Sequence, residues 1–365
     1  MRKHYIDNLR WFTVLAVVIY HVFFMFNALG VLSFKTFSEV QYQDGIIYLL
    51  YPWIMVLLFL IAGMSSRYYL EKHSIKEFIR SRTRKLLVPS TIGILLFGWI
   101  QGYINMAESH AFEEDQGFMQ LPVVVKFLIM DISGTSILWF SQLLWLISLL
   151  CALVAKLEKG KLYRFTSKTG IIASVLLVIP VFVSAQILNL PILSVYRFGI
   201  YPFVFFLGYF VFAHDEVVDR LAKFRIPLIA AAAVLGVTYL VLHFGDDAME
   251  MPVMACVPAV AFCWAMCLAL LGSFRAWFDR VTPFAAFMTK RSFGIYTFHY
   301  VAMSAVALLL TLYTDWPAFV CYVLCGVSGL AGSIILTEIV TRIPFVRWSL
   351  LGIKKPSSKE ARNVQ

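Results

Sequence analysis

Apolar residues run along this chain in long unbroken blocks, not in amphipathic stripes. Blocks such as Ile54–Ala62 and Ile171–Val183 contain no charge at all. A helix that crosses a bilayer needs about 20 consecutive, mostly apolar residues. Ten segments meet that pattern: Leu9–Leu29, Ile46–Ser66, Leu86–Asn105, Ser136–Ala155, Ile171–Leu190, Val195–Ala213, Ile226–Phe244, Val253–Leu271, Ser292–Tyr313 and Trp316–Ile339. Strands of a membrane barrel would alternate polar and apolar positions. The pattern therefore predicts an all-α, polytopic integral membrane protein with about ten transmembrane helices. Asn189–Ser194, with Pro191, must then be a tight turn. Pro180, Pro202 and Pro258 fall inside spans, where the lost N–H predicts kinks.

Composition agrees: 61% of the 365 residues are hydrophobic, 14% are charged, and mean hydropathy is +0.80. Soluble domains carry about 25% charged residues. The net charge of +10 would suggest nucleic acid in a soluble protein, but here its distribution argues otherwise. With the N-terminus inside, 28 of the 31 Lys and Arg lie on the inner side, leaving Lys35, Lys126 and Arg197 outside. Cytoplasmic loops collect such residues, so both termini are expected in the cytoplasm and no nucleic-acid partner is expected. The predicted setting is a multi-pass protein of the cell (inner or plasma) membrane. The outer loops are acidic, with Glu108, Glu113, Glu114 and Asp115, then Asp246, Asp247 and Glu250. The expected organisation is one transmembrane domain over residues 1–345 and a basic cytoplasmic tail over 346–365. Trp11–Phe26 is too long for a cleaved signal segment and reads as a retained first helix. The six cysteines all fall in apolar runs without CxxC spacing and read as small buried hydrophobes. No metal-ligand spacing or phosphate loop is present, and no permanently bound cofactor is expected.

Polar groups inside spans are costly and mark function. Arg10 and His21 are eleven residues apart, which places them within 20° of one helix face and about 16 Å apart along the axis. Arg10 is expected at the cytoplasmic mouth, paired with Asp7, and His21 near mid-membrane. Ser292, Tyr296 and His299 share a second stripe, with His299 expected about 10 Å deep at 1.5 Å per residue. Both histidines read either as reacting groups or as packed, hydrogen-bonded ones. Arg80, Arg82, Arg84 and Lys85 crowd the mouth of the third span. They read as a phosphate clamp or as a helix end facing anionic lipid. Trp139 reads as interfacial belt or as acceptor site with Gln142. Glu338 and Arg342 read as a structural ion pair.

These residues carry a resemblance. Tyr5-Ile-Asp7-Asn-Leu-Arg10 followed after ten residues by His21 resembles the opening of the membrane-bound acyltransferase-3 family. Phe78-Ile-Arg80-Ser-Arg82-Thr-Arg84-Lys85-Leu-Leu-Val-Pro89 resembles its basic first cytoplasmic loop. Ser292-Phe-Gly-Ile-Tyr296-Thr-Phe-His299 resembles its Tyr-x-x-His segment. Thr337-Glu338-Ile-Val-Thr-Arg342-Ile-Pro344 resembles the branch that includes the periplasmic glucan succinyltransferase. Ile137-Leu-Trp139-Phe-Ser141 departs from the family's His-Leu-Trp-Phe-Leu, so a histidine there is absent.

The resemblance implies transfer of a short acyl group from acyl-CoA (acetyl-CoA or succinyl-CoA) to a hydroxyl of a glycan, glycolipid or other envelope acceptor. Arg10 and Arg80–Lys85 would hold the CoA phosphates. His21 would act as general base, with His299 or Tyr296 orienting it or stabilising the oxyanion. Ser292 and Asp7 would support these groups, and Trp139 and Gln142 would meet the acceptor. Direct transfer and a histidine-borne intermediate both fit. The rival from another class is a secondary transporter or flippase for an envelope precursor, with His and Arg on the substrate path; a structural role in an envelope complex is a third reading.

Overall fold

The computed structural model describes residues 3–112, 116–190 and 195–353. Arg2, Glu113, Glu114, Asp115, Pro191 and the tail from 354 lie outside the described residues. Among those described, every regular element is helical, with one isolated bridge between Asn189 and Arg197. The protein is thus all-α and crosses the membrane several times.

In chain order the helices are α1 (His4–Phe24), α2 (Gly45–Leu70), α3 (Ile75–Arg82), α4 (Ile94–Glu108), α5 (Gln116–Gln120), α6 (Val123–Ser133) and α7 (Trp139–Glu158). Then come α8 (Lys161–Thr166), α9 (Ile171–Leu176), α10 (Val178–Gln186), α11 (Ile200–Leu207), α12 (Asp215–Lys223), α13 (Arg225–His243), α14 (Met251–Met254) and α15 (Val257–Trp277). The last are α16 (Pro283–Tyr313), α17 (Ala318–Val327), α18 (Ser333–Arg342) and α19 (Pro344–Leu351).

Each of the ten expected spans has a helical counterpart, but only eight among the described residues are long and apolar enough to cross a membrane. The fifth and sixth fall short. In the fifth, Pro180 has no N–H for the Leu176 carbonyl, and the helix breaks there into α9 and α10. The sixth, Ile200–Phe212, turns by 95° into α12. Pro202 and Pro258 do not kink their helices. Both stand in a first turn, where an N–H would have had no intrahelical partner.

Two compact units make up the chain: residues up to Phe78 with Ile147–Ser292, and Ile79–Leu146 with the chain from Phe293 onward. The first is built around α2, which is 72% buried over its most apolar stretch, against 22% for α13. α2 packs on α1, α11, α13 and α15. Its approach to α11 is set by two glycines. A Cβ on Gly63 would lie 1.9 Å from the Phe205 carbonyl oxygen, and one on Gly208 would lie 2.0 Å from that of Leu60. Small residues let membrane helices pack backbone to backbone, where no hydrophobic force holds them together. α13 instead exposes Val234, Val237, Val241 and Leu242, a face suited to lipid.

In the second unit α4 packs on α6 in the same way, through Gly98, Gly102 and Gly134. Pro89 cannot donate to the Lys85 carbonyl, and the chain passes it in π-helical turns at Thr83–Leu87 and Pro89–Gly93. α19 packs on the second of these turns. Gly352, at φ +61°, closes α19 so tightly on Arg84 that a Cβ would lie 2.2 Å from the Arg84 carbonyl oxygen.

Candidate active site

Asp7, Arg10 and His21 belong to the first unit. α1 is uninterrupted from His4 to Phe24, so the eleven-residue spacing of Arg10 and His21 holds at about 16 Å. His21 stands in the last turn of α1, because the helix ends at Phe24, five residues before the apolar block does. The His21 ring lies 5.0 Å from that of Tyr20, which stacks on Tyr51 at 5.5 Å.

Arg10 is held at the wall of a cavity of about 930 Å³. Its guanidinium donates to Asp7 Oδ1 at 3.2 Å and to Ser65 Oγ at 2.8 Å. Small-molecule sites run to roughly 300–1,000 Å³, so this is a large one. Its charges are mixed. Lys3, Arg10 and Lys72 face it, but so do Asp7, Glu71, Asp215 and Glu216. Lys3 pairs with Asp215 and bonds Tyr68. Sequence reasoning expected a cationic donor mouth with Asp7 beside Arg10; folding brings in Glu71, just after α2, and Asp215 and Glu216 of α12 as well.

Aromatic pairs line the same cavity. Tyr69 stacks on His73 at 4.0 Å and Tyr163 on His214 at 3.9 Å, with the Arg67 guanidinium 3.6 Å over the Tyr163 ring. Burial, with Glu71 adding to it, pushes the Tyr163 hydroxyl up and keeps it a neutral donor. The sequence reading missed Ser65, Tyr69, Tyr163 and His214. The available signal was Ser65-Ser66-Arg67-Tyr68-Tyr69, a polar and aromatic run closing an otherwise apolar span.

Tyr296 and His299 belong to the second unit. α16 starts at Pro283, nine residues before the apolar block does, so His299 is the seventeenth of its 31 residues. It is fully buried. Its Nδ1–H donates to the Tyr296 carbonyl at 2.8 Å and the Ile295 carbonyl at 3.0 Å, which leaves Nε2 as the basic nitrogen of the neutral ring. The buried Tyr296 hydroxyl donates to the Ile137 carbonyl, and its ring meets Phe140 edge-on at 5.6 Å. The Tyr-x-x-His stripe and the segment before Trp139 are therefore neighbours within this unit. Trp139 is half-buried against Phe140. Gln142 donates from Nε2 to the Ser90 carbonyl at 3.0 Å, beside the π-helical turns. Ser292 continues the stripe on α16 and donates to the Thr289 carbonyl at 3.3 Å.

Arg80 and Lys85 are exposed, and Arg82 and Arg84 are half-buried. All four lie on the second unit. Two units thus each carry a histidine with neighbouring tyrosines, and the first also carries a large cavity at a helix-borne arginine. A family model described as an acyltransferase domain matches residues 3–338. The chain belongs to the acyltransferase-3 family. It is a multi-pass membrane acyltransferase, and the match takes in every candidate residue named above. Neither the curated proteins nor the solved structures returned a match. Among the described residues no group of three His, Cys, Asp or Glu is placed to hold a metal ion.

Proposed function

We propose that this membrane acyltransferase moves a short acyl group from cytoplasmic acyl-CoA to a hydroxyl of a glycan, glycolipid or other acceptor in the cell envelope. The observation that carries the reading is the cavity of about 930 Å³ at Arg10. Arg10, oriented by Asp7 and Ser65, offers a guanidinium fork to a donor phosphate. The Tyr69 and Tyr163 pairs offer flat faces to a nucleotide base. About 16 Å farther along α1, His21 is the general base that takes the acceptor's proton as its oxygen attacks the acyl carbonyl. The anionic donor then meets paired cations rather than a bare positive patch, so binding rests on geometry more than on net charge.

Tyr296 and His299 of the second unit are proposed as a further pair of reacting groups, with Trp139 and Gln142 proposed to meet an acceptor there, and Ser292, the last residue of the first unit, supports the same helix stripe. Arg80, Arg82, Arg84 and Lys85 are proposed to attract donor phosphates. The test is direct. Purified protein is given acetyl-CoA or succinyl-CoA labelled in the acyl group, with envelope glycans as acceptors. Acceptor-dependent release of CoA with label on the glycan is the expected result. Acceptor movement across a vesicle membrane without CoA turnover would instead support a transporter.

A further inference from the structure

α1 has a pocket at each end. The Arg10 cavity takes in its first two turns. At the other end a pocket of about 250 Å³ begins at Phe24. It is closed by the chain after α1, the start of α2 and the loop between α13 and α14. Phe24 is three residues on from His21, about 4.5 Å farther along the axis and about 60° round it. An occupant of this pocket therefore sits one helical turn from the base, at the end of α1 away from Arg10.

Buried hydrogen bonds shape the walls. Gln41, 2% exposed, donates from Nε2 to the Phe26 carbonyl at 2.6 Å and accepts at Oε1 from Phe37 N at 2.9 Å. Asp44, 7% exposed, accepts at Oδ2 from Ala28 N at 2.8 Å. The Tyr48 hydroxyl accepts from Gly245 N at 3.1 Å and donates to the Asp246 carbonyl at 2.5 Å. These bonds tie three separate stretches of chain into one wall. A pocket so held binds without first paying to order its loops.

The lining has two characters. Phe24, Tyr48 and Phe244 give an aromatic side, with the Tyr48 and Phe244 rings 5.9 Å apart. Glu39, Asp44, Asp246 and Asp247 give a carboxylate side, and among the described residues no Lys, Arg or His lines the pocket. Asp44 and Asp247 each use one oxygen on a backbone N–H, that of Ala28 and that of Met249. A carboxylate has about four acceptor sites, so both keep capacity for the hydroxyls of a ligand. Hydroxyls facing carboxylates, with a C–H face against aromatic rings, hold a sugar ring. The size agrees: drug-sized ligands take roughly 300–1,000 Å³, and this smaller pocket suits one ring. A negatively charged ring would face like charges with no lining cation to pair with it.

We infer that this pocket seats one uncharged sugar ring of the acceptor, presents one of its hydroxyls to His21, and turns away acidic sugars. The inference rests on the acyl-transfer reading above and gives its acceptor a place and a charge. Donor and acceptor then approach His21 from opposite ends of α1, and neither has to pass the other.

The test uses the full chain in detergent with acetyl-CoA or succinyl-CoA labelled in the acyl group. The probes are a neutral glucan oligosaccharide and a glucuronic-acid oligosaccharide of equal length. Label should reach the neutral probe, and the acidic probe about tenfold less or lower still. Phe244→Ala and Asp247→Asn should each raise KM for the neutral probe about tenfold. KM for acyl-CoA should stay within about twofold of wild type, a split that a packing role would not give. Glu39→Gln combined with Asp247→Asn should narrow the gap between the two probes. An unmoved KM for the neutral probe in both single variants overturns the inference. So does equal or better transfer to the acidic probe, or an acceptor KM that rises only in Trp139→Ala. In each of those cases CoA release still upholds the acyl-transfer reading. No CoA release with either probe or with envelope glycans overturns that reading and the inference with it.

Discussion

Arg10→Ala separates stability from function. In the folded protein the Arg10 side chain is 37% exposed and pairs with Asp7 at 3.2 Å. Ion pairs that open to solvent contribute about 0–1 kcal/mol, and the bond to Ser65 Oγ adds about 1 kcal/mol. The variant should therefore lose no more than about 2 kcal/mol of stability and insert normally. Its effect on the donor should be larger. A charge-assisted contact to phosphate contributes about 1.5–3 kcal/mol, which at about 1.4 kcal/mol per factor of ten is about a 10- to 150-fold rise in KM for acyl-CoA. Arg10→Lys should fall between, because a single ammonium keeps the charge and loses the fork. Ser65→Ala, which loosens the guanidinium without removing it, should raise KM only about 2- to 10-fold. The assay is initial rate against acyl-CoA concentration at low and high salt, with size-exclusion profiles as the folding control. A folded Arg10→Ala protein whose KM at low salt stays within about twofold of wild type would refute the assignment of the donor to this cavity.

Four further outcomes are expected. His21→Ala should lower kcat about 10²–10⁴-fold while the protein melts normally; near-normal turnover would return His21 to a packing role. Gly63→Ala forces a methyl to within 1.9 Å of the Phe205 carbonyl oxygen and should cost about 1–3 kcal/mol, seen as a lower melting temperature; an unchanged one would contradict the α2–α11 contact. Arg82→Ala with Arg84→Ala should raise KM for acyl-CoA at low salt, and the effect should shrink as salt screens the charges; an unchanged KM would leave these residues as lipid and topology anchors. Cysteines introduced at Asp247 should react with an impermeant reagent from outside, and those at Lys76 and Lys159 should not; external labelling at Lys76 would overturn the topology.

Hydrophobic length and charge placement were enough to read the helical, membrane-spanning class from sequence, because a bilayer demands apolar length and internally satisfied backbone. The Arg10–His21 pairing was legible for a related reason: both residues ride one unbroken helix, whose geometry depends on no other element. What the sequence misjudged was where helices begin and end. Apolar blocks mark where lipid begins, whereas helices end where caps and prolines stop them. α1 and α16 begin well outside their apolar blocks, and Pro180 splits a block that looked continuous. Tertiary structure alone decided what meets what. Ser65 reaches Arg10 across 55 residues of chain, and the Tyr296 hydroxyl reaches Ile137 across 159. His243 and Cys256, rim histidine and small hydrophobe in sequence, become acceptor and donor when a loop folds back on the start of α15. Such pairings depend on which helices pack together, and no periodicity along one helix encodes its partner.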